Sequence, residues 1–181
     1  MATPLHAGQV VYDPRGAVEA APRPVSPRVK SLAGLRLGVL DNTKWNGRRL
    51  LEKTVALLQA EAPFAEVRYY KKESFSRNAD PALIGRIARE CDAALTAIGD
   101  GGSCTSCCMH DAIALEELGV PSAVIVTEAF LHEAQVQRAA LGMEGVEPAV
   151  IAHPLSTLSD AQIGERARQA APQVRRALLG G

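Results

Sequence analysis

Five short apolar runs, each separated from the next by a helix-like segment, constrain this chain more than any other feature. Leu35-Arg36-Leu37-Gly38-Val39-Leu40, Ala93-Ala94-Leu95-Thr96-Ala97-Ile98, Ser122-Ala123-Val124-Ile125-Val126 and Ala149-Val150-Ile151-Ala152 have the length and content of buried strands. Phe64-Ala65-Glu66-Val67-Arg68-Tyr69-Tyr70 alternates instead, as an edge strand does. Between the runs, Leu51, Val55 and Leu58 recur at helical spacing, and Asp80-Pro81 opens a helix whose apolar face is Leu83, Ile84 and Ile87. A third helix ends near Leu118 at Gly119, and a fourth spans about Glu128 to Leu141 before Gly142. Ser159-Asp160-Ala161-Gln162 is a capping box that opens a last helix to about Leu179, with a kink expected at Pro172.

Strands buried on both faces and alternating with helices require a parallel sheet covered on each side. The predicted fold is therefore α/β: a three-layer, doubly wound, five-stranded parallel sheet, flavodoxin-like, in the order 2-1-3-4-5. Residues 33–181 are read as this single domain, and residues 1–32, with Pro4, Pro14, Pro22, Pro24 and Pro27 and no sustained period, as an extended arm outside the core. Val10-Val11-Tyr12 is the arm's one candidate edge strand.

In that strand order the first and third strands flank the switch point, and ligands bind beyond their carboxyl ends. Asp41-Asn42-Thr43-Lys44 then faces the stretch Gly99-Asp100-Gly101-Gly102-Ser103-Cys104-Thr105-Ser106-Cys107-Cys108 across one crevice. Thr127-Glu128 and His153-Pro154 emerge at the same edge. The glycines let a ligand approach the main chain, and the helix that follows offers unpaired N–H groups and the positive end of its dipole to a carboxylate or phosphate. The same dipole favours a thiolate, which makes Cys104 the candidate nucleophile. Cys104-Thr105-Ser106-Cys107 is also a C-x-x-C, and Cys108 lies four residues from Cys104 on one helical face, so either later thiol is a candidate partner. Core packing explains Cys107 or Cys108 equally well.

No metal site is expected, since a second C-x-x-C is missing and only His110 and Asp111 stand near enough to supplement the first. No cofactor is expected either: the glycine turn matches neither the dinucleotide fingerprint nor a P-loop. Lys+Arg and Asp+Glu each number 20, and there is no basic stripe interleaved with aromatics, which argues against a nucleic-acid partner. Apolar runs too short for a membrane span and the lack of a secretory pattern point to the cytoplasm. There a C-x-x-C is more often catalytic or metal-bound than a structural disulfide.

Leu40-Asp41-Asn42-Thr43-Lys44, Gly99 to Ser106, His110-Asp111, Val126-Thr127-Glu128-Ala129-Phe130 and His153-Pro154-Leu155 together resemble the family named for its selenocysteine-glycine-serine-cysteine motif (UGSC), over roughly Leu35 to Leu179. That family looks distantly similar to the selenoprotein B component of the glycine, sarcosine and betaine reductases. The resemblance implies a thiol- or selenol-based enzyme acting on small molecules, sometimes encoded with a sister subunit. The chain departs from the motif at one position: Gly101 stands where the family carries selenocysteine or cysteine.

The expected function is a cysteine-dependent enzyme acting on a small, carboxylate-bearing substrate. Cys104 is its nucleophile or redox thiol, with Cys107 or Cys108 as second thiol, Lys44 and the turn N–H groups holding negative charge, and His110 or His153 moving a proton. Asp41, Asn42, Thr43, Asp100, Gly101, Gly102, Ser103, Thr105, Thr127 and Glu128 are the expected substrate-binding positions. Two alternatives stand beside this one: cofactor-independent lyase, hydratase or isomerase chemistry, and a non-catalytic subunit paired with a sister chain that keeps the full motif. A homo-oligomer or such a hetero-oligomer is the expected assembly.

Overall fold

The computed structural model describes residues 2–4, 10–12 and 20–180. Ala2–Pro4 (β1) pairs antiparallel with Val10–Tyr12 (β2) as a separate two-stranded unit, so the candidate edge strand pairs within the arm instead of joining the main sheet. The remainder of the arm before residue 20 lies outside the described residues. The five expected runs form β3 (Arg36–Asp41), β4 (Glu66–Lys71), β5 (Ala93–Gly99), β6 (Ser122–Thr127) and β7 (Ala149–Ile151). They are parallel throughout and ordered β4-β3-β5-β6-β7, which is the flavodoxin-like order.

Helices α1 (Gly47–Glu61), α2 (Pro81–Glu90), α3 (Gly102–Glu117), α4 (Leu131–Ala140) and α5 (Asp160–Leu179) connect and close the sheet. Successive strand residues point to opposite faces, and the core divides accordingly. Leu37, Val39, Leu95 and Ile125 meet Leu51, Val55 and Leu58 of α1 and Ile163, Ala167 and Val174 of α5. On the other face Leu40 and Ala94 meet Ile84 and Ile87 of α2 and Leu115 of α3. Val124 and Val126 pack there with Met109 and Ile113 of α3 and Ala134 of α4. Asp80 caps α2 by accepting the Ala82 N–H at 2.7 Å, with Pro81 in the first turn, and Ser159 and Gln162 close the expected capping box on α5. Helix α5 continues through Pro172 as a single helix.

The two edges of the sheet are finished differently. On β7, Gln173 pairs with both the N–H and the C=O of Val150, and Gln169 takes the Ala152 N–H, so α5 side chains satisfy the outer strand. On β4 the edge carries the Arg68–Glu66 and Arg68–Glu90 ion pairs, charges that discourage pairing with another strand.

Residues 20–32 carry no helix or strand and are strapped to the body of the fold. Arg23 N–H donates to Gly142 O and Val29 N–H to Leu178 O, at the C-terminal ends of α4 and α5. The buried Glu116 carboxylate accepts from the Ser26 N–H, the Ser26 hydroxyl, Arg28 and the Ser122 N–H. Leu32 enters the core at 3% exposure. These contacts are made one at a time to helix ends and therefore leave no period in the sequence.

Candidate functional site

All the chemistry-bearing loops gather at the carboxyl edge of the sheet, opposite the strap. The β3–α1 loop is built from its own side chains. Asp41 Oδ1 accepts the Thr43 N–H at 2.8 Å and Asn42 Oδ1 accepts the Lys44 N–H at 3.2 Å, the turn-forming habit of Asp and Asn. Thr43 sits at φ 70° and Asn46 at φ 63°. For a β-branched threonine this left-handed conformation is strained, on the order of 1–3 kcal/mol, and persists where surrounding contacts enforce it. Asn46 supplies such contacts, donating to the carbonyls of Leu155, Ser156 and Leu158 on the β7–α5 loop. The loop is thereby clamped with Lys44 directed across the crevice.

Across from it, β5 runs into α3. A Cβ on Gly99 would lie 2.7 Å from Thr105 Oγ1 and 3.1 Å from Thr105 Cα, so only glycine lets the helix start this close over the strand end. Gly101 is the N-cap and contributes no side-chain bond, and the first-turn N–H groups of α3 have no intrahelical acceptor. Cys104, in that first turn, donates its S–H to Gly101 O at 3.2 Å, while Lys44 Nζ lies 3.6 Å from Cys104 Sγ. Gly101 has extended backbone angles open to any residue, yet a Cβ there would sit 3.3 Å from Cys104 Sγ and 3.4 Å from Lys44 Nζ. Glycine at 101 keeps the space between ammonium and sulfur clear. Cys104 itself is only 2% exposed. Phe75 contributes to this enclosed setting, its ring lying 5.0 Å from Lys44 Nζ.

A second cluster adjoins the first through Asp100. Asp100 Oδ1, nearly buried at the end of β5, lies 2.9 Å from His153 Nδ1, and the Thr127 hydroxyl stands 3.1 Å from the same nitrogen. Asp100 thus fixes the imidazole through Nδ1, and among the described residues Nε2 has no hydrogen-bond partner, the arrangement by which a carboxylate orients a proton-transfer histidine. The His153 side chain is 37% exposed, the His153 backbone N–H donates to Glu128 Oε1 at 3.4 Å, and the Phe130 ring packs edge-on against the imidazole. Asp41, Asn42, Thr43, Lys44, Asp100, Gly101, Gly102, Ser103, Cys104, Thr127, Glu128 and His153 therefore lie along one rim.

The other expected residues are placed elsewhere. Cys108 is fully buried among Met109, Val124 and Val126, accepts a hydrogen bond from Asn42 Nδ2 at 3.3 Å, and has its thiol pushed up to about 12 by burial. Cys107 is 8% exposed, and burial raises its thiol too, against the pull of Lys72. Thr105 is buried against Gly99 and its hydroxyl has no hydrogen-bond partner among the described residues. His110 lines the groove between α2 and α3 beside Ile113 and Ala114, and no hydrogen bond joins it to Cys104 or Lys44. Among the described residues no three of His, Cys, Asp and Glu converge as metal ligands, and no helix is long and apolar enough to cross a membrane.

Phe75, Asn46 and the buried pair Lys72–Asp111 escaped the sequence reading. Asn46 lay in the β3–α1 turn with nothing to tell it from its neighbours. A lysine after an edge strand reads as a solvated one, and Phe75 falls in a polar stretch without a period.

No curated protein matches the chain. A diflavin flavoprotein A3 from Nostoc sp. is similar in shape, with 13% identity, coverage of 82% of this chain and 98% of that one, and a TM-score of 0.41. Translation elongation factor SelB from Methanococcus maripaludis, crystallised with a GTP analogue, shows 11% identity over 82% of this chain, with a TM-score of 0.42. The match spans about a third of that protein, 34% of its length. The family model described as the UGSC family matches residues 10–180, nearly the whole sequence, and on that footing the chain belongs to the UGSC family.

Proposed function

We propose that the rim is the active site of a thiol-dependent enzyme acting on a small carboxylate. The observation that carries this reading is the contact of Lys44 Nζ with Cys104 Sγ at 3.6 Å, made at the open N-terminus of α3. An ammonium and a helix N-terminus together hold a carboxylate, and the sulfur lies within reach of the carbon attached to it. His153, oriented by Asp100, is the proton carrier, and it is better placed for this than His110.

Two observations favour non-redox chemistry over dithiol exchange. Gly101 bears no thiol, and Cys108 is sealed in the core with its thiol raised to about 12. In the favoured reaction class, lyase, hydratase or isomerase, the Cys104 thiolate takes a proton from the carbon next to the carboxylate and His153 returns one to the departing or receiving atom. Protons then balance without an oxidant, a reductant or a cofactor. The substrate is a small molecule, and the working place is the cytoplasm.

Two alkylating reagents that differ only in charge test this. Iodoacetate carries a carboxylate and iodoacetamide does not, so their rate ratio at Cys104 reports the anion site. Lys44→Met should lower that ratio about tenfold, the effect of one partly shielded charge, and leave the ratio at Cys107 unchanged. A ratio at Cys104 indifferent to Lys44 would refute the carboxylate site.

A further inference from the structure

The loop between β4 and α2 has an unusual attachment. Its two ends, Lys72 and Ala79, are buried, and the six residues between them are exposed or half-buried. Both ends are held by one carboxylate of the cysteine helix: Lys72 Nζ donates to Asp111 Oδ2 at 2.5 Å and the Ala79 N–H donates to Asp111 Oδ1 at 2.7 Å. Among the described residues, no backbone–backbone hydrogen bond ties residues 73–78 between these anchors to the rest of the fold. The tip is stiffened locally by the Ser74–Ser76 hydroxyl contact at 3.0 Å and by the Ser76 N–H on Ser74 Oγ. Behind the loop is a pocket of about 320 Å³ walled by Glu73, Ser74, Arg77 and Asn78, so the segment is unpacked on that side.

Its link to the candidate site is Phe75, whose ring rests on the Lys44 ammonium while that ammonium touches Cys104 Sγ. Phe75 is 37% exposed and adds nothing to the core, although the chain has just three phenylalanines. A cation–π contact at a half-exposed site is weak enough to break often, and a loop without backbone bonds opens at little expense.

We propose that residues 73–78 form a lid over Cys104, hinged on Asp111 and latched by Phe75 on Lys44. The latch accounts for a sulfur with 2% exposure beside a lysine that is only half-buried. A carboxylate that takes the Lys44 ammonium draws it away from the ring, so ligand entry itself releases the lid. The proposal rests on the reading of Cys104 as the working thiol, but its test measures only access to sulfur.

The test is iodoacetamide alkylation of Cys104 in the native chain, followed by peptide mass mapping, with Cys107 as internal reference. Phe75→Ala should speed labelling of Cys104 by between about two- and thirtyfold, the strength of a cation–π latch expressed as a rate, with Cys107 unaffected. Phe75→Trp, a better partner for the cation, should slow it. Lys44→Met removes both the latch and the cation beside the thiolate, so it is read through the reagent ratio alone, where it should lower the iodoacetate preference. Phe75→Ala should speed both reagents alike and leave their ratio unchanged, so the lid and the carboxylate site fail separately. An unchanged rate in Phe75→Ala, or an equal rise at Cys107, would overturn the lid.

Discussion

The Lys72–Asp111 pair gives the sharpest energetic prediction because both side chains are almost fully buried, at 1% and 2% exposure. Asp111→Ala strands a buried ammonium, which costs about 3–5 kcal/mol, and orphans the Ala79 N–H, about 1–3 kcal/mol more. Adding Lys72→Met removes the stranded charge and leaves only the orphan N–H. The double variant should therefore be more stable than the single one by roughly 3 kcal/mol. In a domain of this length that is a gain of about 6–12 °C in Tm over Asp111→Ala.

Urea unfolding followed by circular dichroism measures both variants, and thermal scans check them. Burial raises the Asp111 carboxyl more than Lys72 and the Ala79 N–H lower it. A group whose folded value lies above its unfolded one contributes stability that is complete at low pH and declines as pH rises through the folded value. Lys72→Met alone should steepen that decline, because it removes a charge that stabilises the carboxylate. A double variant no more stable than Asp111→Ala would show that the ammonium is not stranded, and the account of the pair would be wrong.

Two further outcomes follow from the cysteine helix. Gly101→Cys places a Cβ 3.3 Å from Cys104 Sγ, close to what a disulfide needs; mild oxidation should link residues 101 and 104, with a loss of two hydrogens mapped by mass spectrometry, and failure to link would contradict the placement of the turn. Cys108, raised to about 12 by burial, should resist alkylation at pH 8 in the folded chain and gain about tenfold in thiolate per pH unit beyond it. In urea its labelling should level off near pH 9–10, in the ordinary cysteine range of about 8.5. Because its folded value is the higher one, this thiol withdraws stability as pH climbs from about 8.5 upward. Equal labelling curves in the two states would refute its burial.

The alternation of apolar runs with helical segments and the glycine stops make the sheet legible in the sequence, because a parallel strand buried on both faces must be apolar along its whole length and few alternatives share that pattern. The rim was legible for the same reason, since residues directly after such strands emerge at one edge whatever the loops do. What the sequence hid is contact made by single residues. Glu116 gathers three donors from the strap and a fourth from β6, Asn46 clamps two loops, and Asp111 holds a segment more than thirty residues away in sequence, and none of these repeats with a period. His110 and His153 illustrate the difference: both stand near a motif, but only the second follows a strand end, and only the second meets a buried carboxylate.

The direction in which α3 turns its cysteine face decides between two chemistries. Residues three and four apart on a helix share a face, which is why Cys107 and Cys108 stand as natural partners for Cys104 on sequence grounds. That shared face is the one α3 turns inward, as Cys108 and Ala112, four and eight residues on, show by lying in the core. Moving along it from the first turn leads inward, away from the rim, so the spacing that brings Cys108 into line with Cys104 is also what seals it beneath Asn42. A disulfide from Cys104 to Cys108 would need a thiol raised to about 12 to ionise inside the core, whereas proton exchange with His153 needs only groups already at the opening. Trapping a Cys104–Cys108 disulfide in the native chain under mild oxidation, identified by peptide mapping, would reverse that preference.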